Sequence, residues 1–480
     1  MTKGSRVLLV NPFGKRIIGD RTPPYHLISL ATALPRDLHV EICDLRFEDR
    51  PLQSYLGPDL AWVGITCMIG KQLEHAAQIT AQVHEQSDAA VVWGGVLPTQ
   101  LPELALEQGG ADYLIRGEGE IALRELIAGN DRGVQGLLRR GDPVPPPNER
   151  RLAEQIDLAQ IEDLRLDLVD MRNYIENGGY GPAITLLTSR GCPNSCAYCY
   201  QSTVYQRSWR AYSVDWVVRM ILMFEREYGI KHFQLMDDNI MVDIRRVLAI
   251  CQRLIEQDND RTFSIFGADV ATTHKLGPDD LKLLARAGCK VINIGVESGS
   301  ERIQELIDKR VDFGKLFEIN QTLRNAGIKP TYNFMSGFPG ESMEDIKQSV
   351  DLMNRLKEHN PQCDCGTIKM LLPYPGTKLF KLVQRDYGFE PPQTIEYWSH
   401  YNWGEADRLD LTWVDQKQRR FLVRLYFLSL MMNPSYLFVR STLFRWITRL
   451  CYPITRLRFR KLWVNSAIIP RVLRFINSRL

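Results

Sequence analysis

The chain has 480 residues, 44% of them hydrophobic and 24% charged, with a formal net charge of +3. That length allows two or three domains with ample cores, and ten cysteines are too sparse for a disulfide scaffold. The charge is uneven: all 57 acidic residues precede Gln416, while 14 of the 60 basic residues fall between Gln416 and Leu480. No signal-like segment precedes the first apolar run, so a cytoplasmic protein is expected.

Residues 6–128 alternate strand and helix. Strand-like runs begin at Arg6, Val40, Leu60, Ala89 and Asp112, and helical periodicity covers 27–34, 72–86 and 120–127. Such alternation gives a doubly wound parallel sheet, whose ligands sit beyond the carboxyl ends of the strands. The candidate loops are therefore 11–15, 66–71, 94–99 and 116–120. They read Gly64-Ile-Thr-Cys-Met68, Gly94-Gly-Val-Leu-Pro-Thr99 followed by Pro102-Glu103, and Arg116-Gly-Glu-Gly-Glu120. In order and spacing these loops resemble the cobalamin-binding domain that precedes many radical SAM cores. The resemblance implies that Thr66, Gly94, Gly95, Thr99, Gly117 and Glu118 contact cobalamin. It has one departure. The Asp-x-His-x-x-Gly signature that supplies a lower histidine ligand is absent, because the first loop reads Asn11-Pro-Phe-Gly-Lys-Arg16. His26 follows two prolines in a helix-start context and is a poor substitute.

Residues 129–182 form a Pro-rich connector containing Asp142-Pro-Val-Pro-Pro-Pro-Asn148. After it, a strand-like run over 183–188 leads through Arg190-Gly191 into Cys192-Pro-Asn-Ser-Cys196-Ala-Tyr-Cys199. Three thiolates suit a 4Fe–4S cluster with one iron left for a small molecule. Zinc is the competing reading, but it wants four ligands and no fourth is near in sequence. A disulfide would leave one cysteine over. The spacing, with Tyr198 before the last cysteine, resembles the radical SAM superfamily. That resemblance implies Cys192, Cys196 and Cys199 as cluster ligands. It also implies S-adenosylmethionine on the open iron, cleaved on one-electron reduction to a 5′-deoxyadenosyl radical, with a donor such as flavodoxin or ferredoxin.

The β/α alternation resumes over 183–380, with strands expected at 183–188, 232–237, 263–269, 290–296, 329–336 and 366–372. Six units match the partial (β/α)6 barrel of the radical SAM superfamily rather than a full eight. Active sites of parallel barrels lie at strand C-termini, where the polar residues fall. Asp237, Asp238 and Asn239 take the place of the family's methionine-amine loop, since carboxylates and amides suit an ammonium group; capping the next helix is the alternative. Asp269, Glu297, Ser298, Arg302 and Gly337 are the remaining candidates for S-adenosylmethionine contacts. Tyr374 is a candidate substrate-facing aromatic, with packing as its alternative.

Residues 381–480 become helical, aromatic and basic. The twelve apolar residues from Phe421 to Met432 contain Arg424 and are too short to span a bilayer. Residues 436–450, 454–461 and 471–480 mix aliphatic and aromatic residues with arginine. The pattern fits a helix lying on an anionic membrane through residues 416–480. A helical cap on the barrel and a nucleic-acid surface remain open; the density of leucine and phenylalanine disfavours nucleic acid.

These readings give an α/β chain in four parts: a cobalamin-binding-like domain (1–128), the connector (129–182), the partial barrel (183–380) and the helical, basic region (381–480). The expected function is radical methylation of an unactivated carbon in a hydrophobic or lipid-like substrate. Cyclisation, oxygenation or carbon–carbon joining is the alternative. An RNA-modifying radical enzyme is disfavoured because the N-terminal region has only Cys43 and Cys67 for a second cluster.

Overall fold

A computed structural model describes residues 6–12, 21–146, 151–257, 260–402, 409–432 and 442–464, with backbone alone over 442–449 and at 451. The expectations for Phe13–Lys15, Arg440, Arg445, Arg449 and 471–480 therefore fall outside the described residues or side chains.

The first sheet is built from β1 (Arg6–Asn11), β2 (His39–Asp44), β3 (Leu60–Thr66), β4 (Ala90–Gly94) and β5 (Tyr113–Ile115). They run parallel in the order β2-β1-β3-β4-β5. All six residues of β1 are buried, as a continuous Val/Leu run must be when both faces of a strand are covered. The helices are α1 (Tyr25–Ala33), α2 (Gln72–Gln86), α3 (Val96–Gln100), α4 (Pro102–Glu107) and α5 (Glu120–Ile127). Strand order reverses between β1 and β3, which opens a crevice at their carboxyl ends. The sheet also continues beyond residue 128, because β6 (Leu137–Arg139) pairs antiparallel with β5. The connector folds back on this domain: the Tyr174 hydroxyl donates to Asp44 Oδ2 at 3.0 Å.

A hairpin of β7 (Glu176–Gly178) and β8 (Gly181–Leu186) starts the second sheet. Next come the short ribbon of β9 (Ser189–Gly191) and β10 (Trp209–Ala211), with α6 (Gln201–Val204) between them. The barrel continues through α7 (Val214–Tyr228), β11 (His232–Met236), α8 (Ile244–Ile255), β12 (Thr262–Asp269), α9 (Val270–Thr273) and α10 (Pro278–Arg286). It then runs through β13 (Cys289–Glu297), α11 (Glu301–Leu306), α12 (Phe313–Ala326), β14 (Lys329–Ser336), α13 (Met343–His359) and β15 (Asp364–Met370). Six parallel strands lie in the order β15-β14-β13-β12-β11-β8. Among the described residues β8 and β15 do not pair, so the ring is open, as expected for six units. Local rules explain the helix limits: Ser213 Oγ accepts from Trp216 N to start α7, and Gly229 ends it in the left-handed region.

After α14 (Lys378–Tyr387), α15 (Ile395–Ser399) straps the two domains together. Ser399 Oγ donates to Glu74 Oε1 on α2 (3.0 Å), and Gly70 N donates to the carbonyl of Trp398 (3.1 Å). The apolar run of the basic region forms α16 (Gln416–Met432), which lies along the open edge strand β15. Its Leu422, Leu425, Phe427 and Leu428 are buried, and Ser429 Oγ accepts the Ile368 amide at 3.0 Å. An uncovered edge strand is a pairing hazard, and α16 removes it. This part of the tail is thus a cap. By contrast α17 (Thr442–Arg460), stacked on α16 and α13, presents Leu450, Ile454 and Leu457 to solvent. No described helix is long and apolar enough to cross a membrane.

Candidate active site

The crevice of the first sheet opens into a cavity of about 480 Å³ that the second domain closes. Asn11, Thr66, Gly94 and Ile115, at the ends of β1, β3, β4 and β5, form one wall; Tyr200, Gln201, Val204 and Tyr205, from the segment just after Cys199, form the other. Of the residues expected at cobalamin, Thr66, Gly94, Gly95, Gly117 and Glu118 line this one space. Thr99 stands behind it: its hydroxyl donates to the Gly95 carbonyl (2.6 Å) and accepts from Gly117 N (2.9 Å), fixing two loops against each other.

The glycines fit a large planar group approaching the backbone. A Cβ at Gly94 would meet nothing within 4 Å, whereas one at Gly95 (φ 109°) would fall 2.9 Å from the Cys67 carbonyl oxygen. The first leaves open space to be filled; the second demands glycine. The Glu118 carboxylate is engaged in pairing rather than free. It meets Arg190 Nη1 at 3.1 Å and also pairs with Arg210. Arg190 further binds Glu120 Oε1 (2.7 Å) and Ser29 Oγ (2.7 Å). This buried network joins the N-terminal domain to the residue two positions before Cys192.

The three cysteines sit on the loop between β9 and α6. Two backbone bonds pin it: Ala197 N to the Ile307 carbonyl (2.8 Å) and Leu379 N to the Ala197 carbonyl (2.8 Å). Side chains add Ser195 Oγ to Asp308 Oδ2 (2.9 Å) and Asn194 Nδ2 to Asp269 Oδ2 (3.1 Å). Burial pushes all three thiols up, Cys199 to about 12, so thiolates here need a cationic partner such as iron. A 4Fe–4S cluster spreads its thiolates over several irons, so the three cysteines need not converge on one ion.

The barrel residues divide into two groups. Asp237 Oδ1 accepts from Thr188 N (2.8 Å), Thr188 Oγ1 (3.0 Å) and Ser189 Oγ (2.7 Å), bracing the entry to the cysteine loop. Asp238 accepts from Gly191 N (2.7 Å) and from Gln201, and it lines the cavity; burial raises it to about 6. The polar atoms of Ser298 and Arg302 are engaged with Ser349 and Asp345. Gly337 (φ 90°) donates to Glu341 and its carbonyl accepts from Trp413 Nε1 at 3.1 Å. Tyr374 leans on Tyr200, their rings 5.2 Å apart.

Asn239, Asp269, Glu297 and Tyr198 gather at the cysteine loop. Asn239 Nδ2 donates to Asp269 Oδ2 (2.7 Å) and lies 3.9 Å from Cys192 Sγ. Glu297 adopts φ 73°, a strained conformation for a non-glycine residue. Lys309 Nζ holds Glu297 Oε1 at 3.1 Å and Tyr198 Oη at 3.5 Å. Burial opposes the Lys309 charge, but Glu297 and Cys196 outweigh it and hold its pKa above the ordinary lysine range. Lys309 was not among the sequence candidates. Its only signal was the Asp-Lys-Arg run after α11, which carries no motif.

The structure also places His26, named in the sequence analysis, at the cavity. It stands in the first turn of α1 and its ring is open to the cavity. The surrounding protein, together with Arg46, holds the imidazole below the ordinary histidine range.

A parallel sheet with a crevice facing a three-cysteine loop on an open six-stranded barrel defines a two-domain enzyme with two cofactor stations. A family model described as the Radical SAM superfamily matches residues 186–353, and one described as a B12 binding domain matches 17–127. These matches give a B12-binding domain ahead of a radical SAM domain, and the cofactors are a 4Fe–4S cluster, S-adenosylmethionine and cobalamin. It is 27% identical over 396 residues to an uncharacterized methyltransferase of Pyrococcus horikoshii, covering 79% of this chain and 83% of that one. It is 26% identical over 294 residues to the hopanoid C-3 methylase of Methylococcus capsulatus, covering 58% and 53%. Its fold resembles the cobalamin-dependent S-adenosylmethionine radical enzyme OxsB (TM-score 0.72, 18% identity, 98% of this chain and 75% of that one).

Proposed function

We propose that this enzyme methylates an unactivated carbon of a hydrophobic or lipid-like substrate. The carrying observation is a cavity walled on one side by the loops expected to bind cobalamin and on the other by the helix that follows the cysteine loop. Bound there, the cluster with S-adenosylmethionine supplies a hydrogen-abstracting radical, and cobalamin supplies a methyl group. In this reading Cys192, Cys196 and Cys199 hold the cluster. Asn239 and Asp269 receive the methionine ammonium, since both touch the cluster loop, while Asp237 and Asp238 keep that loop in place. Lys309 is the buried cation for the methionine carboxylate, held in position by Glu297 and Tyr198. The resemblance to a hopanoid methylase favours a polycyclic or isoprenoid lipid class. Peripheral membrane contact through α17 is part of the same reading, because a lipid substrate must be collected from a membrane.

The test supplies anaerobically reconstituted enzyme with reductant, methyl-deuterated S-adenosylmethionine and a lipid extract. Deuterated methyl in a lipid product, with 5′-deoxyadenosine formed alongside, is the expected result. Formation of 5′-deoxyadenosine with an altered but unlabelled lipid would replace methylation by cyclisation or oxygenation.

A further inference from the structure

The wall of the cavity formed by the N-terminal domain holds one feature that the pairing networks do not use. Arg190, Glu118, Glu120 and Arg46 all have partners. The His26 imidazole has no hydrogen-bond partner among the described residues, and its ring is exposed to the cavity. It is the only histidine among the described residues lining that space. A ring nitrogen exposed to the cavity and not used by the protein is available to a ligand that fills that space.

We propose that His26 is the protein base that coordinates cobalt on the face of the corrin turned toward the N-terminal sheet. The bond is dative: a ring nitrogen lone pair enters the open axial position of cobalt, and no electron or proton is gained or lost overall. Three observations fit. The ring is neutral, as an imidazole ligand must be, and the helix N-terminus beside it reinforces neutrality. Pro23 and Pro24 fix the entry to α1 and so limit the freedom of the residue two positions on. The strands whose loops carry the glycines end on the same wall. The first-loop histidine is missing from the sequence, and this residue restores a nitrogen from the next element instead. The proposal rests on corrin binding in this cavity and not on which reaction follows.

Electron paramagnetic resonance of full-length protein loaded with cob(II)alamin or cob(II)inamide tests it. Cob(II)inamide lacks the nucleotide base, so any nitrogen splitting in its spectrum comes from the protein. The expected result is a triplet from natural-abundance protein that becomes a doublet when the histidines carry nitrogen-15. His26→Gln should lose the splitting while corrin remains bound in equimolar amount. Splitting that ignores the label, no splitting with cob(II)inamide, or a doublet that survives in His26→Gln would overturn the assignment. Failure to bind either corrin would overturn it together with the cobalamin reading of the cavity. The labelled wild-type protein decides the ligand class even where His26→Gln folds poorly.

Discussion

In the proposed arrangement Cys196 is one of three cluster ligands, and replacing it with alanine removes one thiolate from the iron. The expected outcome is loss of the visible absorbance of the cluster, with the far-ultraviolet spectrum unchanged because the loop is also pinned through Ala197. Glu341 offers a second residue-scale test. Burial raises its carboxyl to about 7, although Ser336 Oγ and Gly337 N donate to it at 2.6 Å each. A carboxyl whose folded pKa lies above its unfolded one binds more protons when folded. Its contribution is full below about pH 4.5 and is lost as pH rises through about 7. Glu341→Gln keeps an acceptor and removes that loss, so its melting temperature should exceed that of the parent at pH 8 and fall below it or match it at pH 5. Melting curves across that range check the sign. At this scale the sequence showed the cysteines clearly, because their spacing is contiguous along the chain. It hid Lys309 and named His26 only as a poor substitute, because what faces either residue across the site is not written in its neighbours.

At the scale of elements, the periodicities gave nearly the observed strands and helices. Gln72–Gln86 and Glu120–Ile127 match their expected limits, and all six barrel strands occur within about two residues. Two short helices after Gly95 and the strand Leu137–Arg139 were not foreseen. The first are too short for periodicity, and the second exists only through pairing with β5. The link between domains is likewise tertiary. Arg190 serves Glu118, Glu120 and Ser29 at once, so Arg190→Met would leave two buried carboxylates facing each other. Removing one partner of a buried pair costs about 3–5 kcal/mol. We expect a destabilisation of that order in denaturant titration, together with weaker corrin retention, because the same residue borders the cavity. Unchanged stability would show that the network is dispensable.

The whole molecule resolves the basic region into two parts with different roles. Residues of α16 that looked suited to a membrane are consumed in covering β15, so deleting everything from Gln416 onward would bare an edge strand. The surface test must therefore be confined to α17. There Leu450, Ile454 and Leu457 are 75%, 64% and 50% exposed, on one helical face beside Arg460 and Lys461. Burying such side chains contributes about 1.5–3 kcal/mol each. Changing all three to serine should lower sedimentation with phosphatidylglycerol-containing vesicles at least about tenfold, while corrin and iron contents stay as in the parent. Equal sedimentation would mean that the patch does not meet membranes.

Along the chain alone, contiguous spacing determined the cluster loop, and hydrophobic period determined the order of strands and helices that makes a crevice and an open barrel. Both depend only on near neighbours. Tertiary structure decided which polar groups were left over to meet a ligand. Asp237, Asp238, Glu118 and Arg302 turned out to be engaged by residues far away in sequence, Lys309 was brought to the cysteine loop and His26 to the cavity. Hydrogen bonds and ion pairs compete for every buried polar atom, and the winner of that competition is set by which elements meet, not by the residues on either side.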